Sequence, residues 1–189
     1  MANVDNPSGF TPVRYLSGAP YNGATNRYAI LAADGTATFV GDLVVIGGSA
    51  TTDGVPSVVQ AAATNTNIAG AVVGFEIDPT NLGLLYRTAS TLRYCLVSDD
   101  PFVLYEVQED SDSAALTVDD VGENCDIVVG SGNTTTGISA MEIDSSDHKA
   151  ATAQIRVVRL VPREDNAIGN QAKWEVLINE HCYKTTAGT

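Results

Sequence analysis

The stretch FVLYEVQ, residues 102–108, predicts a β-strand. Val103, Tyr105 and Val107 lie on one side of this stretch, and the more polar set of Leu, Glu and Gln lies on the other. A period of two is the spacing of a half-buried strand. Another apolar segment, LRYCLV at 92–97, precedes it across an Asp-Asp-Pro turn. We therefore predict that the two segments are neighbouring strands.

The same pattern continues on both sides of this pair. Short apolar segments recur about every ten residues with Gly, Asp or Pro between them, a spacing typical of a sandwich or barrel. The chain has 21 Val, 19 Thr and 17 Gly but only 3 Lys, a composition that suits strands and turns. We predict an all-β protein with a barrel or sandwich core of short antiparallel strands. The other predicted strands are 27–32, 37–46, 57–61, 70–77, 126–129, 138–143, 153–161 and 173–179.

Only residues 113–122, SAALTVDDVG, suggest a helix, because a Ser begins and a Gly ends an apolar periodic segment. It would span two turns at most.

Residues 1–25 combine scattered Gly and Pro with large apolar side chains, which are rare in flexible tails. We predict an extended N-terminal arm, lying either on its own domain or on a neighbouring molecule. Residues 26–189 then form a single β-rich domain, since no repeat or linker marks a boundary.

The formal net charge is -13, which argues against nucleic acid as a partner because the phosphate backbone is also negative. Residues 94–148 contain 13 Asp and Glu and no Lys or Arg. We interpret this block as an acidic central insertion, a lobe that faces solvent. An ordinary acidic surface that serves only solubility is the alternative.

The chain offers little that indicates catalysis. Cys182 follows His181 directly, and neighbouring residues of a strand point to opposite faces. His148 lies in an acidic segment and is expected to be exposed. The three Cys are too few and too widely spaced for a disulfide framework or, with two His, a zinc cluster. We expect no enzyme activity and no catalytic or cofactor-binding residue.

Glu109, Asp110 and Asp112 have the oxygen ligands that Ca²⁺ prefers. Their spacing does not fit the twelve-residue calcium loop, so no metal site is predicted.

The glycines of VGSGNTTTG, 129–137, lack the Lys and the following helix of a phosphate loop and favour a wide hairpin turn. No secretory segment and no apolar run of membrane-spanning length is present in the sequence, so we expect no membrane partner and a protein that is made and kept in a cytoplasm.

Several colinear segments resemble the head decoration, or cement, proteins that stabilise the capsids of tailed bacteriophages. The resemblance covers most of the chain, and its strength is the colinear order rather than any one motif. The segments are NPSGFTPVRYLSGAPYNGATNRY (6–28), ATFVGDLV (37–44), GVPSVVQAA (54–62), VVGFEIDPTNL (72–82), YRTASTLRY (86–94), DDPFVLYEVQED (99–110) and DNAIGNQAKWEVLINEH (165–181).

The resemblance implies a virion protein on the capsid exterior that bridges neighbouring major capsid protein subunits and associates with itself as a dimer or trimer. The acidic lobe would face outward. Aromatic and Arg side chains dominate interface energetics. On that basis the candidate interface residues are Phe10, Arg14, Tyr15 and Tyr21 of the arm and Arg156, Arg159 and Arg163 of the basic C-terminal third.

Two rival functions remain open at this point. A tail-associated or receptor-binding β protein would bind a host glycan or surface, and usually carries more surface aromatics than the 6% of this chain. A small β-barrel carbohydrate hydrolase would need two carboxyl groups that converge in a cleft.

Overall fold

A computed structural model describes residues 3–112, 114–149 and 151–184. These residues form eleven strands and two three-residue 3₁₀ turns, so the prediction of an all-β protein is confirmed. The strands are β1 (Thr11–Tyr15), β2 (Asn26–Ile30), β3 (Leu43–Ala50), β4 (Pro56–Gln60), β5 (Ile68–Phe75), β6 (Arg93–Ser98), β7 (Val103–Gln108), β8 (Asn124–Asn133), β9 (Ile138–Lys149), β10 (Ile155–Leu160) and β11 (Lys173–Ile178).

Six strands form one sheet in the order β1-β7-β11-β10-β8-β9, with antiparallel pairing throughout. The FVLYEVQ strand lies between β1 and β11. Tyr105 is opposite Pro12 on one side and Val176 on the other. This sheet curls, because the end of β7 meets β9 through a bridge between Glu109 and Ile143.

The other five strands form a small closed barrel in the order β2-β4-β3-β5-β6. All of its pairs are antiparallel except the closure between β2 and β4. That closure is a parallel pairing of Ala29 with Ser57.

The described residues form two hydrophobic clusters: a barrel core within the five-stranded barrel, and a core shared by the barrel and the six-stranded sheet. Leu43 and Ile68 of the barrel pack in the same cluster as Tyr105 and Trp174 of the sheet. The Tyr105 hydroxyl donates a hydrogen bond to the Ser98 carbonyl at 2.7 Å, which satisfies the polar end of a fully buried ring. Each large side chain buried in this way contributes about 1.5–3 kcal/mol to folding. The shared core therefore holds the two sheets together.

Residues 3–25 contact the rest of the chain along the N-terminal segment. Strand β1 is an edge strand of the six-stranded sheet, and Phe10 is 1% exposed, with its ring edge-on to Tyr105 at 6.4 Å. Between the two alternatives, the segment lies on its own domain. The physical reason is that β7 offers an unpaired edge and the core a pocket for one aromatic ring.

The acidic block is likewise not an insertion. Residues 94–148 contribute β6 to the barrel and β7, β8 and β9 to the six-stranded sheet. Their carboxylates lie mostly on loops and outer faces of strands whose other faces are buried.

The helix predicted over 113–122 is reduced to one 3₁₀ turn, Val118–Asp120, and residue 113 itself lies outside the described part of the chain. Thr117 and Asp120 form a capping box around this turn. Gly122 adopts φ +96°, and its N–H donates to the Val157 carbonyl, which directs the chain into β8 before a second turn can form.

Candidate interaction surface and titratable clusters

Glu175 on β11 draws together two of the predicted interface arginines. Arg14 Nε donates to one carboxylate oxygen at 2.8 Å, and Arg159 Nη2 donates to the other at 2.7 Å. Burial acts to raise the pKa of Glu175, but Arg159 and Arg14 outweigh it and lower the pKa. The two arginines therefore clamp β1, β11 and β10 together within the chain, and their role in an interface stays a prediction.

The remaining predicted arginines are also paired within the chain. Arg163 Nη1 donates to Glu106 at 2.8 Å, and its Nε lies 3.4 Å from Asp165. Arg156 Nε donates to the Asn124 side-chain oxygen at 2.9 Å. Arg163 is thus paired with acidic side chains of the same chain and Arg156 with a neutral amide, and the interface role of both stays a prediction.

The aromatic residues of the N-terminal segment differ in their availability. Phe10 is core and cannot anchor a partner without unfolding its surroundings. Tyr21 donates its hydroxyl to the Ala24 carbonyl at 2.7 Å, and Tyr15 donates to Asn22 at 2.8 Å. The two half-buried rings pack together with centroids 6.1 Å apart. Only their outer edges remain accessible.

An exposed apolar surface lies beside Tyr15. Leu16 is 49% exposed and Phe102 is 55% exposed, and the Leu16 N–H donates to the Phe102 carbonyl at 2.8 Å. Together with Ser17 and Asp100 they line a shallow depression, here called the Leu16–Phe102 patch (Tyr15, Leu16, Ser17, Asp100, Phe102). Sequence reasoning missed Leu16 and Phe102, because only the β1–β7 pairing brings residues 86 positions apart into contact.

Two arginines hold surface loops from inside. Arg87 is fully buried and donates to the carbonyls of Leu31, Asp34 and Thr91 at 2.7–2.8 Å, and also to that of Thr36. Burial lowers its pKa. Arg93 donates in the same way to the carbonyls of Leu84, Tyr86 and Glu76. These side chains stabilise the long connections around the barrel.

Two carboxyl groups are held in an environment that favours their neutral form. Burial raises the pKa of Glu109 to about 7, although the Leu116 N–H donates to its Oε2 at 2.9 Å. Burial, with the charges of Asp5 and Asp110, raises the pKa of Glu142 to about 7. Glu109 packs inside the curled sheet near Trp174, whereas Glu142 is only half-buried.

The acidic group considered for calcium is rearranged in the structure. Glu109 points into the core, and Asp144 of β9 instead joins Asp110 and Asp112, with carboxylate oxygens within 4.8 Å of one another. Asp110 Oδ1 already accepts hydrogen bonds from the N–H and hydroxyl of Ser145. A second group brings Asp120 and Glu123 together with His148.

The cysteines and His181 lie in apolar surroundings. Burial raises the pKa of the Cys95 and Cys125 thiols to about 12. Burial lowers the pKa of His181 to about 4, and its Nδ1 accepts a hydrogen bond from the Tyr183 N–H at 3.1 Å. Cys182 packs against the barrel core. An unprotonated thiol and a charged imidazole are both disfavoured here, so this pair is poorly suited to nucleophilic chemistry.

No family model, curated protein or solved structure matches this chain. Among the described residues, the helical segments are single 3₁₀ turns, far too short to cross a bilayer.

Proposed function

We propose that the protein is a structural component of a bacteriophage virion that decorates the capsid exterior and stabilises it by bridging neighbouring major capsid protein subunits. The colinear resemblance to head decoration proteins supports this proposal. The structural observation that carries it is the Leu16–Phe102 patch, an exposed apolar surface at the end of the β1–β7 pair.

The patch has the features of an interface anchor. Leu and Phe side chains bring apolar area, and Asp100 and Ser17 provide a polar rim. Strand pairing and the Leu16–Phe102 hydrogen bond hold both residues in place before binding. Because a preorganised surface loses little conformational entropy on association, it binds more tightly than a flexible arm.

The internal ion pairs fit the same role. A protein that bridges capsid subunits must keep its geometry under the outward pressure of a packed genome. Arg14, Arg159 and Glu175 connect three strands of the sheet, and Arg87 connects the barrel loops. The net charge of -13 would keep decorated particles apart in solution.

The test is co-sedimentation of the purified protein with emptied, expanded capsids of its own phage that lack this protein. We expect saturable binding at a fixed ratio to the major capsid protein and a raised capsid melting temperature. The ratio also reports whether dimers or trimers bind. Absence of binding at micromolar protein would overturn the proposal, and a glycan screen would then test receptor binding.

A variant pair tests the patch itself. The double substitution Leu16→Ser, Phe102→Ser should weaken capsid binding at least about tenfold, since central apolar anchors carry most interface energy. The matched control is Ile168→Ser, which alters an apolar residue of similar exposure (44%) on the β10–β11 connection. Equal binding by the double variant and the control would show that another surface contacts the capsid.

A further inference from the structure

His148 lies near the end of β9, and a backbone carbonyl determines which of its two ring nitrogens carries the hydrogen. Its Nδ1 lies 2.9 Å from the Ser145 carbonyl oxygen. A carbonyl oxygen only accepts, so Nδ1 carries the hydrogen and donates it. In the neutral imidazole the lone pair is therefore on Nε2. This is the arrangement found in most metal-binding histidines, whose second nitrogen donates to a carbonyl or carboxylate.

Asp120 presents a carboxylate oxygen to that lone pair. Asp120 Oδ1 lies 3.5 Å from His148 Nε2, and the Asp120 side chain is nine-tenths buried. Its other oxygen, Oδ2, accepts hydrogen bonds from the Thr117 N–H at 2.7 Å and the Thr117 hydroxyl at 2.8 Å. Oδ1 faces the imidazole and forms an ion pair with it when His148 is protonated. The capping box thus aims one carboxylate oxygen at a ring nitrogen.

Glu123 completes the group from the segment that enters β8. One ligand atom each of Asp120, Glu123 and His148 lies within 4.8 Å of the others. Two carboxylates beside an imidazole favour a positive charge within the group, which either a proton on His148 Nε2 or a bound cation supplies. A tetrahedral Zn²⁺ ion with bonds of about 2.0–2.1 Å holds its ligand atoms about 3.3 Å apart, close to the separation of Nε2 and Oδ1.

We propose that Asp120, Glu123 and His148 form a binding site for a divalent transition-metal ion of the Zn²⁺ class, with water in the fourth position. The imidazole favours Zn²⁺ over Ca²⁺ or Mg²⁺, which prefer oxygen ligands alone. His148 is 33% exposed, so an ion can reach the site from solvent.

The ion would add a side-chain link between the β7–β8 connection and β9 to the strand pairing already present there. Asp120 and Glu123 belong to the connection between β7 and β8. His148 lies at one end of the β8–β9 pairing, opposite Cys125. Binding to the folded state alone raises stability with ion concentration. The proposal is independent of the capsid role, because it rests on these three side chains only.

The experiment titrates ZnCl₂ into the full-length protein by calorimetry and follows the imidazole nitrogens by NMR. The chain has only two His, and His181 is buried, so the signals are readily distinguished. We expect one ion per chain, a shift of the His148 Nε2 resonance with His181 unchanged, and a melting temperature that rises with ZnCl₂.

His148→Gln and Glu123→Gln should each weaken Zn²⁺ binding at least about tenfold. The matched control is Asp119→Asn, which removes one negative charge from the same turn at an exposed position. The Cys182→Ser variant, which removes the most exposed thiol, should bind Zn²⁺ with the affinity of the native protein. Circular dichroism establishes that each variant folds.

Three results would overturn the proposal. One is the absence of Zn²⁺ binding in molar excess, which would mean that a proton alone bridges His148 and Asp120. Another is equal affinity in His148→Gln and the native chain. The third is loss of binding in Cys182→Ser, which would assign the ion to a thiol.

Discussion

Arg14 and Glu175 are 161 positions apart in the chain, yet the Arg14 guanidinium reaches across β7 to donate to the Glu175 carboxylate at 2.8 Å. Arg159 binds the other carboxylate oxygen from β10. The Glu175 side chain is 7% exposed, whereas Arg159 is 49% exposed. This buried carboxylate with two cationic donors ties the edge strand to the centre of the sheet.

Glu175→Gln should destabilise the fold by about 1–3 kcal/mol, because two charge-assisted hydrogen bonds lose their anion while solvent screens part of the effect. Urea unfolding measures the change. The matched control is Glu106→Gln, which removes the partner of Arg163 at a carboxylate side chain that is 20% exposed. It should change stability by less than about 1 kcal/mol. Equal losses would show that the clamp is no stronger than an ordinary surface pair.

Phe10→Ala should lower the free energy of unfolding by about 3–5 kcal/mol, the usual result of removing a buried aromatic ring. Deletion of residues 1–25 should destabilise the protein further, since it also removes β1 from the sheet. Thermal unfolding checks both. If the deleted protein kept its native melting temperature, the segment would be dispensable for the fold.

The ionisation of Glu109 should lower the stability of the protein as pH rises from about 4.5 to about 7. Its folded pKa lies above the unfolded value, so the folded state binds more protons in this window and stability falls with rising pH. The full effect is about 3 kcal/mol. Glu109→Gln keeps an oxygen for the Leu116 N–H and should remove this slope. The free energies of unfolding of the variant and the native protein are compared from pH 4 to 8. A difference between them that does not change with pH would contradict the prediction.

His181 should have the opposite effect on the pH dependence of stability, which should fall as pH falls. Its folded pKa of about 4 lies below the ordinary 6.5, so the stability it contributes is present above pH 6.5 and is lost as pH falls towards 4. His181→Asn keeps an acceptor for the Tyr183 N–H without a titrating group. We expect its acid-unfolding curve to be flatter between these values. An unchanged slope would mean that His181 is protonated in the folded state.

Gly132→Ala should destabilise the β8–β9 hairpin by about 1–3 kcal/mol through overpacking. A Cβ at this position would lie 2.3 Å from the Phe39 ring, which stacks on Tyr86 with centroids 4.9 Å apart. The matched control is Gly74→Ala in β5, where a Cβ meets nothing within 4 Å. Urea unfolding should separate the two variants, and equal stability would mean that the Phe39 ring moves aside freely.

The strands were predictable where one face is buried and the pattern has a period of two. FVLYEVQ became β7 almost residue for residue, and the segments at 153–161 and 173–179 became β10 and β11. The prediction over 37–46 was less accurate, since regular pairing begins only at Leu43. Thr38 and Val40 make isolated bridges there, and no local pattern reveals them because their partners, Arg87 and Ile138, are distant in the chain.

The candidate site could be predicted only in part. Residue type suggested Arg14 and Arg159 as interface residues, but their partner is Glu175 of the same chain. The acidic residues near 109–112 drew attention to a cation, whereas the group with a fixed histidine combines residues 120, 123 and 148. No spacing rule joins these three, since a capping box and a strand pairing bring them together.

The sequence by itself determined the fold class and the strands, because alternation, turn residues and β-branched content act over a few neighbouring positions. Tertiary structure decided which charges face solvent, that residues 11–15 complete their own sheet, and that Leu16 meets Phe102. The physical reason is the separation along the chain between the residues that interact. Side-chain partners across 86 to 161 positions depend on strand order and register, and these follow from packing the whole core at once.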